Sequence, residues 1–220
     1  MKKLFFIALL ACVTLLNAQK NVFESSKFDV LSDDHQLLAI IPFFTHLELE
    51  EKISKEESKK LEEKEGYAVQ DALETYFGLG KRKKKFTVEF QNIKNTNAKL
   101  AQKNITYNNI DTYTIKELSE ILEVDAIISG NLDINILLSK GIPEEFSFMD
   151  YILGDANYGR IGIKISDGKT GKLLWKYENE INKKSGKNTA DLIDKMMKKL
   201  VRKFPYDKER LRVNKNPKSD

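Results

Sequence analysis

Five side chains carry most of the chemistry this sequence could perform: His35, His46, Asp125, Asp133 and Asp167. A metal site or a nucleophile–base pair would need several of them to converge. His35 and His46 stand at either end of the run that holds the first predicted strand. At about 3.3 Å per residue that run holds them about 35 Å apart, so they share neither a metal nor a triad and are expected at the surface. Asp125 and Asp133 fall on one face of a second predicted strand, about 26 Å from each other. A glycosidase carboxylate pair needs roughly 5–10 Å. Asp167 opens the turn DGKTG and is expected to serve that turn. Neither HExxH nor GxSxG occurs. Gly78-Leu79-Gly80-Lys81 has the end of a phosphate loop, but Thr75 and Arg82 stand where glycine and Ser or Thr belong. It reads instead as a helix C-terminus running into the basic turn 81–85. No catalytic, cofactor-binding or metal-ligating residue is assigned, and an enzyme is not expected.

The first 18 residues decide the compartment. Lys2 and Lys3 precede an apolar run over 4–16, and Asn17-Ala18-Gln19 offers a small residue for signal peptidase. The run is too short for a bilayer span of about 20 residues. Residues 1–18 are therefore read as a signal peptide, with export to the periplasm or the periphery of the outer membrane. An alternative treats Leu9-Leu10-Ala11-Cys12 as a lipobox, with Cys12 lipidated; bulky Leu10 and the apolar 13–16 favour ordinary cleavage. A chain starting at Gln19 has no cysteine, hence no disulfide, thiol nucleophile or thiolate metal site. Of 37 basic residues, cleavage removes Lys2 and Lys3, against 33 acidic ones. That near balance gives no reason to expect nucleic-acid binding, and no transmembrane segment is expected after cleavage.

The pattern along the chain supplies the scaffold. Residues 19–35 read as an irregular mature leader. Residues 37–41 form a continuous apolar strand closed by Pro42. The charged stretch 48–66 suits a solvated helix, and Tyr67, Val69, Ala72, Leu73, Tyr76 and Phe77 continue it with an apolar stripe. Phe86 to Phe90 alternates as a strand. Asn95-Thr96-Asn97 is expected to cap a short helix. Thr114 and Glu117 form a capping box. Residues 124–138 read as a long strand with Gly130 a bulge or close-packing point. Ile161, Ile163 and Ile165 pair across the DGKTG turn with residues 173–181, where Trp175 is expected to be buried. Leu192, Ile193, Met196, Met197, Leu200 and Phe204 mark a last amphipathic helix stopped by Pro205. The expectation is an α/β (α+β) chain: one domain over 36–206, one mixed sheet of about five strands with helices packed on it, and a charged tail over 207–220.

Three segments in order resemble a known family: Leu38-Ala39-Ile40-Ile41-Pro42-Phe43, the stretch ELSEILEVDAIISG from Glu117 to Gly130, and IKISDGKTGKLLW from Ile163 to Trp175. They resemble the periplasmic domain shared by the curli secretion channel CsgG, the LpoB-type penicillin-binding-protein activators and the TolB N-terminal domain. The resemblance implies an envelope module that binds other envelope proteins and brings no catalytic residues. Two departures stand out. Glu123-Val124-Asp125 replaces the family's Gly-Ala-Asp, and the segments matching CsgG's barrel hairpins (48–66 and 139–157) lack the alternation over 9–11 residues that a membrane strand needs. A non-catalytic assembly, secretion or cell-wall accessory factor is the leading reading; an outer-membrane pore subunit and an envelope-polymer hydrolase or transferase are the alternatives. The candidate partner surface is Phe146, Phe148, Met149, Tyr151 and Ile152, a dense apolar group in a segment punctuated as a loop.

Overall fold

The structure, a computed structural model, describes residues 21–49, 53–78, 85–140, 157–182, 184–200 and 203–208. Seven strands form one mixed sheet: β1 (Val22–Glu24), β2 (Leu37–Ile40), β3 (Phe44–Leu47), β4 (Glu89–Phe90), β5 (Ala126–Ile134), β6 (Asn157–Asp167) and β7 (Leu173–Asn182). Its order is β1-β7-β6-β5-β2-β4, with β3 also on β5. The helices are α1 (Phe28–Leu31), α2 (Lys55–Gly78), α3 (Ile93–Gln102), α4 (Ile115–Leu122) and α5 (Thr189–Leu200).

β5 is the hub, antiparallel to β6 and parallel to both β2 and β3. The strand expected over 37–41 and closed by Pro42 is β2, and β3 follows it as a separate strand. Leu38 to Ile40 pair with Ala126 to Ile128, the chain jogs through Pro42, and Phe44 to Leu47 resume opposite Asn131 to Ile134. Proline has no N–H for the ladder, and at the jog the Phe43 N–H turns away to the Gly66 carbonyl in α2. The expected strand 124–138 ends at Ile134, and a 3-10 turn covers Leu138–Lys140. Part of the expected leader is ordered structure, since β1 pairs antiparallel with β7 and α1 follows it.

Alternation then sorts side chains between two faces. One face (Ile128, Leu132, Ile161, Ile163, Ile165, Trp175) lies under Val69 and Leu73 of α2 and Leu192, Ile193 and Met196 of α5, all buried. The other is covered by α3 and α4 only at its start, where Ala39, Ile41 and Ile127 meet Leu100, Leu118 and Leu122. Of the two roles expected of Gly130, a bulge or close packing, the structure shows the second: the β5–β6 register runs unbroken through it, and a Cβ there would lie 2.0 Å from the Gly162 carbonyl oxygen and 2.3 Å from the Phe43 ring. Trp175 is buried with its indole N–H donating to the Lys203 carbonyl, and its ring meets Phe204 edge-on.

Local caps behave as chemistry dictates, with one shift. Thr114 and Glu117 close the capping box, Glu117 N–H donating to Thr114 Oγ1 and Thr114 N–H to Glu117 Oε2. α3 is capped by Asn92, not by Asn95-Thr96-Asn97. The Asn92 amide and the Ile93 N–H both donate to Glu74 of α2, which selects that asparagine over the later ones. Thr96 and Asn97 point inward instead, Thr96 donating to Gln91 and Asn97 exchanging hydrogen bonds with Gln70.

Candidate functional site

Of the five residues able to do chemistry, His35 and Asp167 do converge. His35 was expected at the surface; it is buried, and its side chain and that of Asp167 are each 1% exposed. The residues between Ser32 and Leu37 carry it inward under the β6–β7 turn, a placement set by partners 132 and 171 positions away. Its Nε2 lies 3.0 Å from Asp167 Oδ1 and its Nδ1 2.7 Å from the Tyr206 hydroxyl. Burial, reinforced by the charges of Asp167 and Asp125, pushes the Tyr206 hydroxyl far above the usual tyrosine value. Tyr206 therefore keeps its proton and donates to Nδ1, and the ring, assigned the Nε2–H tautomer by this network, donates to Asp167.

Carboxylate, imidazole and hydroxyl in a row have the connectivity of a general-base relay. Tyr206 is buried too, so no reacting atom of a substrate can reach the hydroxyl. The arrangement works as a clasp joining the segment before β2, the β6–β7 turn and the strap 203–208. Asp167 also serves its turn, as expected, accepting from the Thr170 N–H and hydroxyl. Beside it, Asp125 Oδ2 accepts from the N–H groups of Gln36 and Leu37, and the Asp125 carbonyl accepts from Gly168 N–H. Asp133 stands apart on β5, accepting from Asn131, and His46 is 65% exposed on β3. Among the described residues no group of three or more His, Cys, Asp or Glu could hold a metal ion.

A second buried acid was missed. Glu65 lies in the charged stretch read as solvated, yet it is fully buried and accepts from the Ser139 N–H and hydroxyl, closing the 3-10 turn after β5. Burial raises its carboxyl above the usual range, partly offset by the Ser139 bonds. The signal was present: Leu61, Glu65 and Val69 are spaced by four, so Glu65 sits on the apolar stripe.

The accessible chemistry lies on the half of the sheet that α3 and α4 leave uncovered. Cross-strand register arranges it in rows. Phe23, Lys176, Lys164 and Ser129 form the first; Glu178, Gly162, Asn131 and Phe44 the second; Glu180, Arg160, Asp133 and His46 the third. The two exposed aromatics among the described residues, Phe23 at 50% and Phe44 at 56%, sit four strand spacings apart, about 20 Å at 4.8 Å each. At the boundary with the covered half, Phe44 lips a groove of about 150 Å³ walled by Pro42, Tyr107, Ile110, Tyr113 and Ile115 and floored by Ser129 and Gly130. Phe146, Phe148, Met149, Tyr151 and Ile152 lie outside the described residues, as do residues 81–84 of the basic turn.

No protein-family model matches the chain, and a sequence comparison with curated proteins finds no match. Solved structures give partial superpositions. A lipoprotein from Neisseria meningitidis is 12% identical over 76% of this chain and 95% of its own, with a TM-score of 0.43. The LpoB C-terminal domain from Salmonella enterica is 9% identical over 67% and 82%, with a TM-score of 0.37. The PelC dodecamer from Paraburkholderia phytofirmans is 8% identical over 73% and 88%, with a TM-score of 0.34. No described helix is long and apolar enough to cross a membrane.

Proposed function

We propose that this chain is a non-catalytic, exported module of the bacterial cell envelope that works by protein–protein contact, in the periplasm or at the outer-membrane periphery, as an assembly, secretion or cell-wall accessory factor. The observation that carries the reading is the half-face that no described helix covers, with exposed Phe44 beside the apolar groove. A large apolar side chain held half in water next to an unfilled apolar groove is the usual mark of a contact surface. The partner it fits is an envelope protein that seats one apolar side chain in the groove. Flanking charges on that partner would match the Lys164–Lys176 row and the acidic Asp133. The signal-like N-terminus and the sequence resemblance to the CsgG, LpoB and TolB domains support the same reading.

The aromatic insertion between β5 and β6 is the second proposed contact, on its composition alone. A photo-crosslinking residue at position 46, exposed on β3 beside Phe44, or at position 150 in the insertion, with irradiation of intact cells, separates the two. Phe44→Ser should abolish a specific adduct while moving the melting temperature little, because exposed substitutions shift stability by less than about 0.5 kcal/mol. If Phe44→Ser captures at the wild-type level and Phe148→Ser with Tyr151→Ser does not, the insertion is the contact surface. If neither variant changes capture, the protein-contact reading fails at both sites.

A further inference from the structure

A second cleft among the described residues is distinct from the Phe44 groove and of opposite chemistry. It lies beyond the start of β1, where β7 runs on, has a volume of about 620 Å³, and the nine described residues lining it are polar or charged. Arg160, Lys184 and Lys199 supply three cations; Glu178 and Glu180 supply two carboxylates. Lys176 holds the Glu178 carboxylate at 2.6 Å, which keeps it ionised and spends part of its charge. The positive surplus therefore belongs to the cleft.

The uncharged lining is held in place. Asn179 accepts from the Tyr177 hydroxyl and donates to the Glu180 carbonyl. The turn after β7 is locked by Ser185, whose hydroxyl accepts from Asn182 N–H and reaches the Glu180 carbonyl. Lys184 N–H donates to Asn182 Oδ1, so that side chain is fixed as well. With Asn21 on the β1 side, the cleft presents amide and hydroxyl donors and acceptors on an ordered frame.

We infer that this cleft binds an acidic saccharide, a sugar chain carrying sparse carboxylates. Three features select that class. Mixed amide, hydroxyl and carboxylate groups match vicinal sugar hydroxyls, which both donate and accept. The cation surplus suits an occasional sugar carboxylate. No aromatic is among the described lining residues, so they offer no stacking platform of the kind single-stranded nucleic acid depends on, and two carboxylates in the wall repel a phosphate at every nucleotide. An apolar peptide side chain finds no apolar wall there.

The test uses the full mature chain, calorimetric titration and three probes: oligogalacturonate, a maltooligosaccharide of equal length, and oligothymidylate. Oligogalacturonate should bind, the neutral oligomer should not, and binding should weaken at least tenfold in Arg160→Gln with Lys199→Gln. Both side chains are exposed, so the variant should melt with the wild type. Phe44→Ser should leave this binding unchanged, which separates it from the partner surface. No binding of oligogalacturonate, binding indifferent to the double substitution, or equally tight oligothymidylate binding would each overturn the assignment.

Discussion

Tyr206→Phe tests whether the buried clasp stabilises the fold. The substitution removes one oxygen and keeps the ring, which still packs edge-on against Phe28 at 5.4 Å and beside Phe204 at 6.2 Å. His35 Nδ1 is then left inside the protein without its donor. An unsatisfied buried acceptor costs about 1–3 kcal/mol. His35→Ala goes further, removing both contacts and leaving a void, and should cost about 3–5 kcal/mol, the range for truncating a large buried ring. Because both substitutions break the same bond, the double variant should cost less than the two combined by about 1–2 kcal/mol. Urea unfolding followed by fluorescence reads this directly, since Trp175 is the only tryptophan and is buried beside the strap that carries Tyr206. The pH axis gives a second readout. Tyr206 is raised in the folded state above its ordinary value of 10.0, so its contribution is complete below that pH and is lost as alkali ionises it. Wild type should therefore lose its advantage over Tyr206→Phe only in alkali. A Tyr206→Phe variant within about 0.5 kcal/mol of wild type at neutral pH, or strict additivity in the cycle, would refute the clasp.

Two further predictions rest on packing and on burial. Gly130→Ala forces a Cβ against the Gly162 carbonyl and the Phe43 ring; backbone cannot rotate away, so the cost should exceed the about 1–3 kcal/mol of ordinary overpacking, and an unchanged melting temperature would show that β5 and β6 can part. Glu65 is raised in the folded state, so the stability linked to it is present at acid pH and is lost as pH rises through its folded value. Glu65→Gln removes that titration and should gain on wild type between pH 4 and pH 7, measured as urea midpoints; a constant difference across that range would count against a buried, charge-penalised Glu65.

Contacts close in sequence were readable, and distant ones were not. The Thr114–Glu117 box lies within four residues and formed as expected; so did the hairpin across DGKTG, where strand periodicity and turn residues agree. His35 gave no such sign, because its burial depends on Asp167 and Tyr206 arriving from the far end of the chain. β1 was hidden for the same reason: three residues form a strand only because β7 offers an edge. Glu123 shows a middle case. It ends α4 with φ of 57°, a left-handed conformation that favours glycine. That is the position at which it replaces the glycine of the family it resembles. Lys99 bonds both the Glu123 carboxylate and the Leu122 carbonyl, which helps to hold this non-glycine residue there.

The uncovered face was written into β5 itself. Along its helix-packed face the strand reads Ala126, Ile128, Gly130, Leu132 and Ile134, apolar to the end. On the opposite face it reads Ile127, Ser129, Asn131 and Asp133, apolar once and then polar. A strand covered throughout on both faces has no reason to change partway along one of them. The change marks where α3 and α4 stop, between Ile127 in their core and Ser129 in the floor of the groove. β6 repeats the pattern with Arg160, Gly162 and Lys164 opposite its isoleucines. Two adjacent strands thus place the accessible surface on one half of one face, where Phe44 stands, among the described residues, as the large exposed apolar side chain on the β3 side.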